Sequence, residues 1–566
     1  MAQEDLRRGR ERLRAALRED RGAFRTVALV SLAVNLLMLT GPVYMLNVYD
    51  RVLSSGSVET LVALSGLALF LYAMMGLLDG ARGRIMVRAG ARMQARLDGR
   101  VFRAVLRQPR PGGPPDLEAL RRLIASPVMT AGFDLPFVPL FLGAIFLLHP
   151  LLGALAVGGA VAALALTAAN RRSSLGLLTR AEALGREADR RGVRLREEHE
   201  VVQALGMARS AEAHWAAYRA EALATATQAA EVNGLYGTTG RTVRLILQSA
   251  MLGLGAWLVL RQQLSPGAMI AGSILLSRAM MPVETILGQW SLVQQAQEAR
   301  DRLARLLAEN EPRRRHPPPK RGPLVIEGLS VVPPGRTEPA LRGVSFRLAP
   351  GRALGVIGPV GSGKSALAKA LAGAWSPASG SVRLGGVDLS RYGDDAPGDC
   401  LGYLPQRVAL FEGTVRENIA RLAPDAEDHA VSRAARTAGA HEFILRMPEG
   451  YDTRIGGTGP GLSGGQMQRI GLARALYGDP ALVILDEPNA HQGDAGTRSL
   501  NAAIRELKAA GACVVVTAHR PGAIEECDLL LALDGGRVRA LGPREQVLRE
   551  VLDRPGGPGL RSATAR

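Results

Sequence analysis

Long apolar runs alternate with arginine-rich polar stretches through the first half of the chain, and short β-branched runs broken by glycine turns fill the second. The first run, about Thr26 to Leu46, is of the length a helix needs to cross a bilayer, roughly twenty residues. Further runs at about Thr60 to Leu78, Leu135 to Leu148, Leu151 to Ala169, Thr242 to Leu260 and Ala268 to Leu287 predict five more crossings. The link from Asn47 to Glu59 is polar and carries a single Arg. The stretch from Asp79 to Asp134 carries Arg82, Arg84, Arg88, Arg92, Arg96, Arg100, Arg103 and Arg107. Because basic loops stay on the cytoplasmic side, the link is expected outside, the long stretch inside, and both termini in the cytoplasm.

His149 and Pro150 predict a tight external hairpin, and Arg261 to Gly267 a short external link. Asn170 to Arg241 is charged, rich in helix formers and poor in breakers, which predicts amphipathic extensions of the membrane helices. The sixth run holds Arg278, Pro282 and Glu284. These either face a protein interior, an interface or a water-filled pathway, or lie near the cytoplasmic end and snorkel to water. Charged helix resumes from about Gln289 to Glu311, and Pro312 to Pro323 has linker composition. The domains expected are therefore 1–311, an α-helical transmembrane domain with six helices; 312–323, a linker; and 324–566. In the last, strand-like runs such as LVIEGLSVV and RALGVIG alternate with helical stretches, as in an α/β domain with a parallel sheet.

Composition supports this division. A hydrophobic share of 47% and a mean hydropathy of +0.07 across 566 residues fit a membrane protein, since the apolar residues bunch in the first half. The net charge of +18 invites a nucleic-acid partner, but the arginines flank the apolar runs, and an aromatic share of 4% leaves few stacking platforms for bases. No nucleic acid is expected. Cys400, Cys513 and Cys527 lack metal-ligand spacing and read as reduced, structural thiols. No cleavable signal peptide is expected, because the stretch before Thr26 is dense in Arg and Glu.

The chemistry lies in the second half. GPVGSGKS follows the strand-like run Leu354 to Ile357 and opens a helical run. In this setting Gly358, Pro359, Val360, Gly361, Ser362 and Gly363 form a phosphate-cradling loop, Lys364 reaches the terminal phosphates and Ser365 ligates magnesium. ALVILDEP is an apolar strand ending in two carboxylates: Asp486 is placed to hold the magnesium, and Glu487 to act as general base on the attacking water. LSGGQ, with Ser463, Gly464, Gly465 and Gln466, opens another helix and offers N–H groups to an anion.

With these motifs in this order the sequence resembles the ATP-binding cassette transporters over essentially its whole length. That resemblance implies an α-helical exporter-type transmembrane domain fused to an α/β P-loop ATPase, binding ATP and Mg2+. It implies a homodimer in which each P-loop faces the other subunit's LSGGQ. Gln406 in GYLPQ is similar to the family's magnesium-sensing residue, which also contacts the membrane domain, and His519 in VTAHR to its γ-phosphate switch. The strings GPVYMLNVYDRVLSSGSVETL, GYLPQRVALFEGTVRENIAR and HRPGAIEECD resemble the permease-ATPases of type I secretion, in the branch exporting proteases and lipases with glycine-rich calcium-binding repeats. This implies a multi-pass protein of the bacterial inner membrane, in contact with membrane lipids and with its ATPase domain cytoplasmic. The implied partners are a periplasmic adaptor, an outer-membrane channel and an unfolded cargo with a C-terminal signal. An exporter of lipids, drugs or short peptides is the alternative.

The resemblance breaks in two places. Pro333 stands where the family has an adenine-stacking aromatic, so base recognition is weak or comes from elsewhere. After Glu487 the chain reads Asn489, Ala490, His491, Gln492, Gly493, Asp494, which puts the family's interface carboxylate one place late.

Overall fold

The computed structural model describes residues 2–107, 112–308, 321–392, 400–456, 461–489 and 494–552. Two compact units divide the chain, Met1–Glu311 and Pro312–Arg566. The expected linker 312–323 lies outside the described residues up to residue 320.

In the first unit six helical stretches are long and apolar enough to cross a membrane: Arg21–Ser55, Val58–Arg107, Pro127–Leu148, Pro150–Glu197, Ala208–Leu260 and Pro266–Gly288. All six apolar runs of the sequence fall within them. Helices of 50, 48 and 53 residues are about 70–80 Å long at the α-helical rise, against about 30 Å of hydrocarbon, so their charged halves extend well beyond lipid. Asp79 to Asp134 is accordingly not a loop. It is helix to Arg107, then the helix Pro114–Ile124 and the start of the third span.

The link expected at Asn47 to Glu59 needs correction. The chain remains helical through a π turn, Val48–Val52, and a short α turn, Leu53–Ser55, and it reverses at Gly56 with φ +67°. The physical reason is tertiary. Asp50 accepts the hydroxyl of Ser265 and, at 2.8 Å, the N–H of Gly267, and so caps the start of the helix Pro266–Gly288.

Arg82, which reads as a topological marker in the sequence, is buried. Its Nη1 donates to Asp134 Oδ1 at 2.7 Å and to Ser31 Oγ at 3.0 Å, and Asn35 Nδ2 donates to the same Asp134 oxygen at 2.7 Å. The network joins the first three spans, and each charge meets a partner, as burial demands. An apolar core of the spans collects Phe141, Ile145, Leu152, Met251, Leu258 and Leu276. Gly159 lets helices approach closely, because a Cβ there would lie 2.6 Å from Leu247.

The second unit holds strands β1 (Leu324–Val331), β2 (Leu341–Leu348), β3 (Ala353–Ile357), β4 (Ser379–Leu384), β5 (Val387–Asp388) and β6 (Leu401–Leu404). There follow β7 (Gly413–Thr414), β8 (Arg454–Ile455), β9 (Leu482–Asp486), β10 (Cys513–Thr517), β11 (Leu529–Asp534) and β12 (Arg537–Pro543). The central sheet has the order β12-β11-β3-β10-β9-β6, parallel from β11 to β6, with β12 antiparallel at the edge. A second, antiparallel sheet has the order β2-β1-β4-β5. Every residue of β3, β9 and β10 is buried, which explains why they read as unbroken apolar runs rather than alternating ones. Being parallel, they deliver their C-terminal ends to one edge, where α/β sheets place ligands.

Candidate functional site

Three loops leave that edge side by side: Gly358 to Gly363 after β3, Glu487 onward after β9, and Ala518–His519 after β10. The first runs into the helix Lys364–Leu371. Its fold depends on glycine at Gly361 (φ +82°) and Gly363 (φ +102°), and at Gly363 a Cβ would also lie 2.7 Å from Ala340 O. Pro359 and Val360 form the outer lip, with Val360 90% exposed and Ser362 buried. Lys364 Nζ donates to the carbonyls of Gly358 at 2.8 Å and Pro359 at 2.9 Å. Burial lowers the proton affinity of this ammonium, and the carboxylates of Glu487 and Asp486 oppose the shift.

The parallel register sets Thr517 of β10 beside Asp486 of β9. Thr517 Oγ1 donates to Asp486 Oδ1 at 2.6 Å, and Ser365 Oγ donates to the same oxygen at 3.2 Å. Burial pushes the Asp486 carboxyl above its ordinary range; these two hydrogen bonds oppose the shift and the neighbouring Glu487 adds to it. Asp486 Oδ2 is buried with no hydrogen-bond partner, and so is Ser362 Oγ. A carboxylate oxygen left open beside a serine hydroxyl is the hard-oxygen donor set that Mg2+ takes, so these residues fit that ion.

Glu487 occupies the left-handed region at φ +52°, unusual for a residue with a side chain. Its N–H donates to Thr517 Oγ1 at 3.0 Å and Thr517 O at 3.2 Å. Its carbonyl accepts from Gln468 Nε2 at 3.3 Å, which also donates to Pro488 O. The carboxylate is held on both sides, by His519 Nε2 at 2.9 Å from Oε1 and Gln406 Nε2 at 2.9 Å from Oε2. Gln406, His519, Glu487, Asp486, Ser365 and Lys364 thus form one cluster.

Ser463 to Gln466 belong to a separate element. Ser463 caps the helix Gly464–Leu476, its Oγ accepting from Gln466 N while Gln466 Oε1 accepts from Ser463 N at 2.9 Å. Gly464 and Gly465 lie in the first turn, whose N–H groups have no intrahelical acceptor, and an anion is the fitting partner. Within this chain the element touches the cluster through Gln468, on the same helix. Thr517 and Gln468 contact the cluster directly, and motif reading missed both. Only the register between two strands distant in sequence brings Thr517 to Asp486. His491, Gln492 and Gly493 lie outside the described residues, as does the side chain of Asp494.

In the first unit, Glu284 Oε1 pairs with Arg244 Nε at 2.8 Å and lines a cavity of about 870 Å3 together with Arg241, Asn233 and Glu182. Arg278 is not among its lining residues.

Comparison with known proteins agrees with the geometry. The family profile described as ABC transporter matches residues 341–490, and that described as ABC transporter transmembrane region matches 25–111 and 116–283. The type I secretion system ATP-binding protein PrsD of Rhizobium meliloti (strain 1021) is 41% identical over 95% of this chain and 94% of its own length. The cyclolysin secretion/processing ATP-binding protein CyaB of Bordetella pertussis is 30% identical over 94% of this chain and 77% of its own. A bacterial Atm1-family ABC exporter with ATP bound superposes with a TM-score of 0.80 over 94% of this chain and 96% of that one, at 22% identity, a likeness of fold.

Proposed function

The chain belongs to the ABC transporter family, a multi-pass membrane protein whose ATP-binding domain hydrolyses ATP to drive transport, and from that premise we propose that it exports an unfolded protein by type I secretion. The observation carrying the cargo class is whole-length similarity to PrsD, which spans membrane and ATPase halves alike. The working unit in this reading is a homodimer in the bacterial inner membrane. A periplasmic adaptor and an outer-membrane channel complete the path, and the cargo carries an uncleaved C-terminal signal.

The site residues take these roles. Gly358 to Gly363 and Lys364 hold the phosphates of ATP, and Lys364 exchanges its two carbonyl partners for phosphate oxygens. Ser365 and Asp486, with Gln406, would hold Mg2+, which would supply neutralisation of phosphate charge. Glu487 takes the proton of the attacking water. Each of its carboxylate oxygens has one partner and keeps a lone pair for that proton, and in this reading exposed His519 turns from Glu487 toward the γ-phosphate. Ser463, Gly464, Gly465 and Gln466 meet the ATP held by the partner subunit. The cavity beside Glu284 is the inner end of the pathway in this reading, with a charged rim suited to an extended polypeptide.

Export is tested in cells expressing the chain with an adaptor, a channel and a repeat-containing protein. Cargo is expected in the medium with its C-terminus intact and without a periplasmic intermediate. If no protein cargo leaves the cell while lipids or drugs stimulate the ATPase, the alternative exporter is the correct reading.

A further inference from the structure

One face of the N-terminal region is left without a partner, and its chemistry changes abruptly along its length. The helix Ala2–Arg18 packs its Gly9, Leu13 and Ala16 side against the helix Trp290–Ala308; a Cβ at Gly9 would overlap Ala304 O. Arginines flanking that seam are engaged: Arg10 Nη2 donates to Asp301 Oδ1 at 3.0 Å, and Arg12 Nη1 to Leu307 O. The acids at the next turn are used as well, Glu19 by Arg96 and Asp20 by Arg92 and Arg96.

Arg14, Arg18, Arg21 and Arg25 differ. All four are exposed, and among the described residues none has a hydrogen bond or ion pair. Arg14 and Arg18, four apart, share one face of the first helix, and Arg21 and Arg25, four apart, share one face of the second. Arg21 and Arg25 belong to the helix Arg21–Leu37, where the same spacing continues to Leu29, Leu32 and Leu36, exposed by 68%, 42% and 50%. The joint at Glu19 and Asp20 is a tight turn: Asp20 N donates to Leu17 O, and Asp20 O accepts from Phe24 N to open the second helix, both at 3.2 Å. A face of bare leucines on a membrane-crossing helix meets lipid tails. Continued outward from the tails, it reaches the depth of the headgroups, where the residues become arginines.

We propose that Arg14, Arg18, Arg21 and Arg25 form a binding site for the phosphate groups of anionic phospholipids, continuous with the lipid-facing leucines of the first span. The inference rests on the chain spanning a membrane and is independent of the cargo. Charge selects the ligand: four unneutralised guanidinium groups at the interface favour an anionic headgroup, and each is shaped to hold phosphate through two parallel hydrogen bonds. A zwitterionic headgroup offers the same phosphate with a cation attached, so discrimination is expected between the two.

The test uses the full chain purified in mild detergent and titrated with phosphatidylglycerol or phosphatidylcholine, with bound lipid counted by native mass spectrometry. The wild type is expected to prefer phosphatidylglycerol by on the order of tenfold. The R14Q/R18Q/R21Q/R25Q variant is expected to lose that preference while keeping its ATPase activity in detergent. R194Q/R196Q removes exposed arginines remote from the apolar run and is expected to bind as wild type does. Equal uptake of the two lipids by the wild type overturns the proposal, as does an undiminished preference in the fourfold variant. A change of oligomeric mass in the fourfold variant without loss of phosphatidylglycerol would instead assign the face to a second copy of the chain.

Discussion

Glu487 shows how much of one residue's role a motif conveys and how much it leaves out. Its place at the end of an apolar strand, beside a P-loop, was legible, and the role of general base is proposed from that placement. Its left-handed backbone and the four groups fixing it were not, since they depend on the pairing of Thr517 with Asp486 and on Gln468 from another helix. Lys364→Ala is expected to abolish hydrolysis by removing the phosphate contact. Glu487→Gln is expected to retain ATP binding and lose turnover by at least about a hundredfold, because an amide cannot accept the water's proton. Equal turnover in wild type and Glu487→Gln would remove the base from this position. Thr517→Val deletes a hydroxyl that both steadies Asp486 and receives the Glu487 N–H, at nearly constant volume. Steady-state kinetics should show kcat lower by roughly tenfold with KM for ATP little changed, as expected when positioning rather than binding is lost, and Thr517→Ser should restore most of the rate. A matching loss in both Thr517 variants would assign the effect to packing instead.

Among the elements, the apolar runs marked each membrane-length helix found among the described residues, because length and hydropathy alone decide that question. Boundaries set by tertiary contacts escaped the pattern. Asn47, Tyr49, Asp50 and Arg51 look like a polar link, yet they stay helical because Asp50 is committed to the first turn of another helix. Arg82 looks like one cytoplasmic charge among eight, yet it is buried between three spans. The Asp50 contact predicts a measurable loss. Asp50→Ala leaves Ser265 Oγ and Gly267 N–H without their acceptor and is expected to cost about 1–2 kcal/mol, in the range of a lost helix cap. Thermal unfolding in detergent should register it, whereas Asp50→Asn, which keeps one acceptor oxygen, should lose less. An unchanged midpoint in Asp50→Ala would show that the contact is not stabilising.

At the scale of the whole molecule, the proposed homodimer would make the site of one chain half of a shared one. Ser365, Asp486, Thr517, Glu487, Gln406 and His519 are joined by hydrogen bonds, with Lys364 held beside them by the carbonyls of Gly358 and Pro359, while the helix opening at Ser463 belongs to a separate element. If each P-loop is closed by the partner's LSGGQ, two copies must cooperate, and a defect in one P-loop disables a site containing the other copy's signature. Gln468 supplies a physical link between the sites, because it ties the signature helix to the backbone of Glu487 in the same chain. In the proposed dimer, movement of that helix on meeting the partner's ATP is expected to pass to Glu487 by this contact. Mixing makes this quantitative. Wild type and Lys364→Ala, co-expressed in equal amounts with different tags, should assemble at random into a symmetric dimer's three combinations. Isolated by both tags, the mixed dimer is expected to hydrolyse ATP at much less than half the wild-type rate, because its one intact P-loop faces a signature whose partner site cannot close. Without separation, total activity should fall to about a quarter of that of wild type at equal protein, the share of doubly intact dimers. A mixed dimer retaining half the wild-type rate would show that the two sites turn over independently, and the coupling through Gln468 would have to be given up.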